Sequence, residues 1–434
     1  MHGDQAAPVE SQAGNLYWRL SALMFLQFFI WGAWYLSVSI YMTAHGMEKG
    51  CYWAYTAGPI AAIVTPILSG LLADRYFNSE KVLAALFLLA GTFMLLLPGI
   101  GAGPDAPGKS DIFNWVILAH MLCYMPTLGL SASLAFHHLP KGGVEFPRVR
   151  LWGTIGWIVA GFTLAMAFTD GAKTPVQFYL GGGACVLLGL YCLSLPATPA
   201  PKKGQPVDIR ALLFMDAWGQ MAKPSFLVFI VCSFLVCIPL AAYYASLQLQ
   251  VTAMQVKGNT AWQNIGTFME AGMMFAMPYF LRRLGVKKMI GIGILAWIVR
   301  YLLFAAGAST AVYAWPLVVL GIALHGFCYD FFFVTGQIYV DNATPENVRG
   351  QCQGMNIFFT QGLGLFLGAK AAGWLAHRAF GTISQAAPES LPHWPQLWLP
   401  LAGLATGVLV IFVLAFKDEG RIGHEEPAEQ PTAE

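Results

Sequence analysis

The residues best placed to do chemistry in this 434-residue chain lie inside apolar stretches. Gln263, Asn264, Thr267 and Glu270 fall together, and spacings of three put Asn264, Thr267 and Glu270 on one helical face. A carboxyl half way along a membrane helix costs about 2.5–3.5 kcal/mol on insertion scales, so it marks a functional position by default. Such a group takes a proton from one side and releases it to the other. The plain alternative is a Glu that pairs with a cation to fix helix packing. A second group lies in HGFCYDFFFVTGQ, where His325 and Tyr329 are four apart and Asp330 follows. An acid beside an aromatic suits sugar hydroxyls, which need acceptors and a stacking surface; the alternative is a helix-end Asp paired with an arginine. Arg150, in FPRVRLWGTIGW, is either a cavity residue or a snorkelling cation near a helix end. Arg300 reads as a structural counter-charge or a snorkeller.

Weaker signals are stripes of aromatic and polar residues. Gln27, Trp31 and Trp34 recur at helical spacing with Tyr35 beside them, and Tyr124, Thr127 and Ser131 share a face that Pro126 bends. They line a cavity or pack helices. No phosphate loop, metal constellation or Ser/His/Asp arrangement stands out, so the expectation is no cofactor and no enzyme. The eight cysteines form no CxxC pattern and read as small core residues.

The elements that carry these groups are membrane helices. The chain is 57% hydrophobic and 11% charged, against roughly 25% charged in soluble domains. A soluble fold has too little interior to hide that much apolar surface. A net charge of +2 gives no reason to expect a nucleic-acid partner. Stretches long enough to span, about 20 residues each, fall near 17–43, 52–73, 81–102, 112–136, 148–169, 175–196, 224–250, 259–281, 288–307, 312–338, 350–376 and 395–416. Lipid cannot satisfy backbone groups, so these are helices.

An even number of spans puts both termini on one side. With that side cytoplasmic, seventeen of the 24 Lys and Arg are inside, five (Lys49, Lys109, Lys173, Lys257 and Arg378) are outside, and Arg300 and Lys370 fall within spans. The positive-inside rule therefore predicts cytoplasmic termini. The longest polar connection, 197–223, begins ATPAPKKGQP and splits the chain into two six-helix halves. The expected organisation is a cytoplasmic segment 1–16, a bundle 17–196, a linker 197–223, a second bundle 224–416 and a disordered tail 417–434. GLLADRYFNSEKV (70–82) and PYFLRRLGVKKMI (278–290) occupy equivalent places 208 residues apart. Two halves related along the membrane normal give the major facilitator architecture, with a site at mid-depth between them. The function class that follows is a secondary transporter. Without an ATP site its driver is an ion gradient: one charge across 100 mV supplies about 2.3 kcal/mol, or roughly 50-fold accumulation of a neutral solute.

Several segments carry a resemblance: FLQFFIWGAW (25–34), YMPTLGL (124–130), FPRVRLWGTIGW (146–157), AWIVRYLLFA (296–305), YDFF (329–332) and QGM (353–355). By these the chain resembles the bacterial nucleoside:proton symporters of the major facilitator superfamily, over both halves. The resemblance implies substrate contacts from the arginine and threonine of the R-x-W-G-T motif, Arg150 and Thr154, with Trp157 closing that segment. It implies an acid at Glu270 and an aromatic–acid pair at Tyr329 and Asp330, the two acids and Arg150 together holding the ribose and linking its binding to protonation. The departures are local. The family's two amide side chains for the base fall on Ala241 and Tyr244 here, its amide one turn before the glutamate is Thr267, and a family tyrosine is His325.

The expectation is a proton-coupled importer of nucleosides or a related ribosylated or sugar-like solute, monomeric in a cell inner membrane. The competing readings are an exporter or facilitator of a different small solute and, from another class, a polytopic enzyme or sensor. The last would need a catalytic constellation or a soluble effector domain, and no loop exceeds about 30 residues.

Overall fold

The computed structural model describes residues 9–72, 77–103, 106–139, 142–168, 170–199, 210, 213–256, 262 and 264–417. The tail beyond 417 and residues 200–209 and 211–212 of the polar connection 197–223 lie outside the described residues, as does Gln263. Among the described residues the secondary structure is helical throughout.

The first half contains α1 (Val9–Trp34), α2 (Val38–Ala44), α3 (Cys51–Ala54), α4 (Ala57–Leu72), α5 (Ser79–Ala102), α6 (Lys109–His138), α7 (Gly142–Met166) and α8 (Val176–Cys192). The second contains α9 (Pro224–Ala253), α10 (Asn264–Ala306), α11 (Ala314–Ala323), α12 (His325–Tyr329), α13 (Thr335–Ala343), α14 (Glu346–Ile357), α15 (Leu365–Phe380) and α16 (Trp394–Ala415). They make twelve membrane crossings. Eight described helical stretches are long and apolar enough to cross by themselves, and Val176–Cys192 is a shorter apolar helix. One of the eight, the 43-residue α10, makes two crossings, because Gly285 reverses it with φ 71° and ψ 173°. That positive φ is open to glycine at little cost. The charged turn LRRLGVKK therefore lies where the sequence placed it, between the eighth and ninth spans.

The first, tenth and eleventh crossings are interrupted. The first helix starts at Val9, ahead of the expected 17, and breaks over 35–37 before α2. There the Ser37 hydroxyl donates to Gln177 Oε1 at 2.9 Å. In the tenth and eleventh crossings, π turns over Asp330–Val334 and Phe358–Gly364 join α12 to α13 and α14 to α15. Single π turns inside helices concentrate at functional sites.

Within the first half α1 packs along α7, and α5 against α6 and α8; within the second, α9 packs on α15 and α16, and α10 on α12 and α16. Buried polar ties cross-link the helices of each half. Gln27 Nε2 donates to Thr127 Oγ1 at 3.0 Å, and the Tyr124 hydroxyl to the Gln27 carbonyl at 2.5 Å. Gln250 donates to the Phe304 carbonyl and accepts from Trp398 Nε1, joining three helices. Each such bond contributes about 0.6 kcal/mol in a membrane protein. The stripe Tyr124, Thr127 and Ser131 is thus buried packing rather than cavity wall. All eight cysteines are free, and seven are buried.

The halves meet at the end remote from the termini. The Tyr52 hydroxyl donates to Gln385 Oε1 at 2.6 Å and lies 3.0 Å from Ser246 Oγ. Glu48 Oε1 accepts the Gln385 backbone N–H at 2.6 Å.

Candidate functional site

Between the halves lies a cavity of about 570 Å³, within the roughly 300–1,000 Å³ usual for pockets that bury small molecules. One wall comes from α7, where Arg150, Thr154 and Trp157 stand at helical spacing. Phe28, Trp31 and Tyr35 from α1 and its break extend that wall. The opposite wall carries Tyr243 and Tyr244 from α9, Thr267 and Glu270 from α10, and His325 and Tyr329 from α12. At the end nearer the termini it is bounded by Phe214, Gly354 and Phe358.

The cavity therefore gathers Arg150, Thr154, Trp157, Tyr244, Thr267, Glu270, His325 and Tyr329 from distant parts of the sequence. Asp330 does not line it. A step of one residue turns about 100° round a helix, and Asp330 opens the π turn with its carboxylate buried and unpartnered among the described residues. Among the described residues it pairs with no arginine. Asn264 does not line the cavity either: it is buried, and its Nδ2 donates across the halves to the Ile158 carbonyl at 3.3 Å.

The charges are arranged asymmetrically. The Arg150 guanidinium lies over the Phe28 ring, 3.7 Å from its centroid, rather than snorkelling to a helix end. Across the cavity, Glu270 Oε2 lies 3.7 Å from His325 Nε2, and its side chain keeps 23% of its surface exposed. Behind His325 stands Arg300, fully buried, with Nη1 3.0 Å from His325 Nδ1. Arg300 is no snorkeller. Its guanidinium carbon lies 3.6 Å from the centre of the Tyr243 ring, a contact worth about 2 kcal/mol when desolvated.

Aromatic rings make up much of the remaining wall. Trp31 and Trp157 meet edge to face at 5.8 Å, and Tyr35 and Tyr244 do the same across the halves at 5.6 Å. Ala241 sits outside the cavity, buried where α15 passes close at Gly368. Sequence reasoning missed Gln361 and Tyr243. Gln361 lies in the π turn of the eleventh crossing and faces the cavity. Its one sequence signal is an amide within an apolar, glycine-rich run.

This wall offers a fixed cation, a carboxyl within reach of the cavity, hydroxyl donors and flat apolar faces. It can hold a solute with both a polyol and a planar ring, and it can carry a proton. Among the described residues no three metal-ligating side chains converge.

The comparisons with known proteins agree with this geometry. The nucleoside H⁺ symporter profile matches residues 15–421. YegT of Escherichia coli (strain K12) is 35% identical over 407 residues, covering 92% of this chain and 93% of that protein. The nucleoside permease NupG of the same organism is 28% identical over 432 residues, covering 93% and 96%. The crystal structure of the nucleoside transporter NupG superposes with a TM-score of 0.81 at 26% identity, over 93% of this chain and all of that one. A bacterial homologue of the lysosomal transporter Spinster, at 12% identity and a TM-score of 0.66, shares the fold. With its two six-helix halves of the major facilitator fold and its match across nearly the whole sequence, the chain is an integral membrane transporter that belongs to the nucleoside H⁺ symporter family.

Proposed function

We propose that this protein imports nucleosides, or a closely related ribosylated solute, together with protons. One observation carries the reading: a cavity built by both halves sets a cation, Arg150, in one wall and a partly exposed carboxyl, Glu270, in the other, with aromatic faces between. The relatives add support, since NupG is named a nucleoside permease and another E. coli relative, 26% identical, a xanthosine permease.

In this reading Arg150 and Thr154 on one side and Tyr329 on the other hold the sugar. Trp157, Tyr244, Thr267 and His325 complete the substrate wall. Ala241 has no part in reading the base, because it packs against the neighbouring helix, and Tyr244 takes over that surface with a ring and a hydroxyl. Glu270 carries the coupling proton. Asp330 is a second proton-linked acid that acts from behind the wall and does not touch the solute. The lysine and arginine bias supports cytoplasmic termini in an inner membrane. The end closed by Tyr52, Ser246 and Gln385 is then external, and the cavity extends toward the cytoplasm. Transport is rocking of bundle 17–196 against bundle 224–416 as a monomer, with 197–223 as their cytoplasmic connection.

The test is uptake of radiolabelled uridine into proteoliposomes with and without an inward proton gradient. Saturable, gradient-stimulated uptake is expected. Folded protein that takes up neither uridine nor adenosine under either condition would overturn the assignment.

A further inference from the structure

Arg300 is a fully buried cation with no carboxylate partner among the described residues, and its Nε and Nη2 have no hydrogen-bond partner there. Aromatic faces hold it: its guanidinium carbon lies 3.6 Å from the Tyr243 ring centre, 5.2 Å from Trp297 and 5.4 Å from Phe304. Its Nη1 lies 3.0 Å from His325 Nδ1. A guanidinium has five N–H donors and no acceptor. The hydrogen bond therefore requires a lone pair on Nδ1. A neutral imidazole has one N–H, which must then be on Nε2, and Nε2 is the atom 3.7 Å from Glu270 Oε2.

We infer that Arg300 locks His325 as its neutral Nε2–H tautomer and so holds a hydrogen-bond donor against the Glu270 carboxyl, acting as a positioning residue for the proton step. The inference rests on the reading above, in which Glu270 carries the coupling proton. Protonating His325 would set N–H against N–H at Arg300. His325 is thus barred from taking the proton itself, although it is the histidine beside the acid. Its N–H donates more strongly to a carboxylate than to the carbonyl oxygen of a protonated carboxyl, so the contact favours the ionised state of Glu270. The other titratable or charged groups acting on Glu270 are Arg150 from α7, Tyr243 and Tyr244 from α9, Tyr329 from α12, and Asp330 at the π turn.

The backbone maintains this geometry. α10 and α12 touch main chain to main chain at the pair: a Cβ at Gly326 would lie 2.6 Å from the Met269 carbonyl and 2.9 Å from the Glu270 nitrogen. A Cβ at Gly266 would lie 3.1 Å from His325 Cβ. Both glycines allow the approach that sets the histidine beside the acid.

The first test reads the tautomer directly, by ¹⁵N–¹H correlation spectra of the full chain labelled with ¹⁵N-histidine. The His325 signals are identified by their loss in His325→Gln. Between about pH 5 and 8, where an ordinary histidine titrates, His325 is expected to remain Nε2–H and neutral. An imidazolium or an Nδ1–H tautomer in that window would overturn the inference. This measurement needs no substrate, so it stands apart from any failure of uridine uptake.

The second test compares Arg300→Gln with Arg300→Lys in proteoliposomes. For Arg300→Gln, gradient-driven accumulation should fall at least about tenfold while counterflow stays within about threefold, and His325 should begin to titrate. Arg300→Lys, which keeps a donor and a charge, should restore part of the accumulation. Equal loss of counterflow and accumulation would mark Arg300 as merely structural, and no loss of either would mark it as dispensable. Both results overturn the proposal.

Discussion

The guanidinium of Arg150 lies 3.7 Å over the ring of Phe28, so a cation that the sequence left near a helix end is held in the cavity wall by an aromatic of another helix. Cation–π contacts contribute about 0.5–2 kcal/mol, the upper end when desolvated. Phe28→Leu keeps the apolar volume and removes the π face. Substrate affinity should drop roughly 2- to 30-fold, measured as Kd by calorimetry on purified protein. Unchanged affinity would show that Arg150 is held by something other than Phe28.

Glu270→Gln keeps the size of the side chain and removes its proton exchange. Gradient-driven accumulation should disappear, with its dependence on pH, while counterflow of unlabelled against labelled uridine persists. Proteoliposome assays at a series of external pH values separate the two. Accumulation at the wild-type level would exclude Glu270 as the proton carrier.

Asp330→Asn provides the contrast. The Asp330 carboxylate is fully buried and outside the cavity lining, so substrate Kd should change less than about threefold, well under the 1.4 kcal/mol that a tenfold change represents. Accumulation should fall if the second acid is linked to protonation. A large loss of affinity would mean that Asp330 reaches the solute.

Much of this was legible in the sequence, for physical reasons. Apolar length reveals membrane helices because lipid leaves no other way to satisfy a backbone, and a buried carboxyl such as Glu270 is costly enough to be conspicuous. What the sequence left open depends on rotation and register. Asp330 follows Tyr329 directly, but the two point to different sides of their helix. The stripe Tyr124–Thr127–Ser131 has the periodicity of a cavity face, yet Gln27 covers it. Arg300 read as a structural counter-charge or a snorkeller, because those are the common fates of a membrane arginine. No local pattern shows that Tyr243, from another helix, lies beneath it. The π turns at Asp330–Val334 and Phe358–Gly364 depend on packing of the tenth and eleventh crossings, so Gln361 could not be placed from spacing alone.

Gly326→Ala tests the backbone contact beside Glu270. The new methyl would meet the Met269 carbonyl at 2.6 Å, and overpacking of this kind typically costs 1–3 kcal/mol. The helices must separate, which draws His325 from Glu270. The expected outcome is a lower melting temperature together with weakened coupling: less accumulation per unit of counterflow than wild type. A variant that loses stability but keeps that ratio would show that the close approach serves packing alone.

Tyr52→Phe tests how the remote end is held shut. One hydroxyl bridges Gln385 Oε1 at 2.6 Å and Ser246 Oγ at 3.0 Å, and Glu48 fixes the Gln385 backbone. Removing it leaves the ring in place and deletes bonds worth about 0.5–1.5 kcal/mol in net terms, which shifts a two-state equilibrium roughly 2- to 12-fold. The state open at the remote end should gain population. Hydrogen exchange of the amides over 44–56 and 381–387 should then quicken, with little change at the end nearer the termini. If exchange quickens at both ends alike, Tyr52 supports overall stability; if it quickens at neither, the apolar contacts around Tyr52 close that end without the hydroxyl.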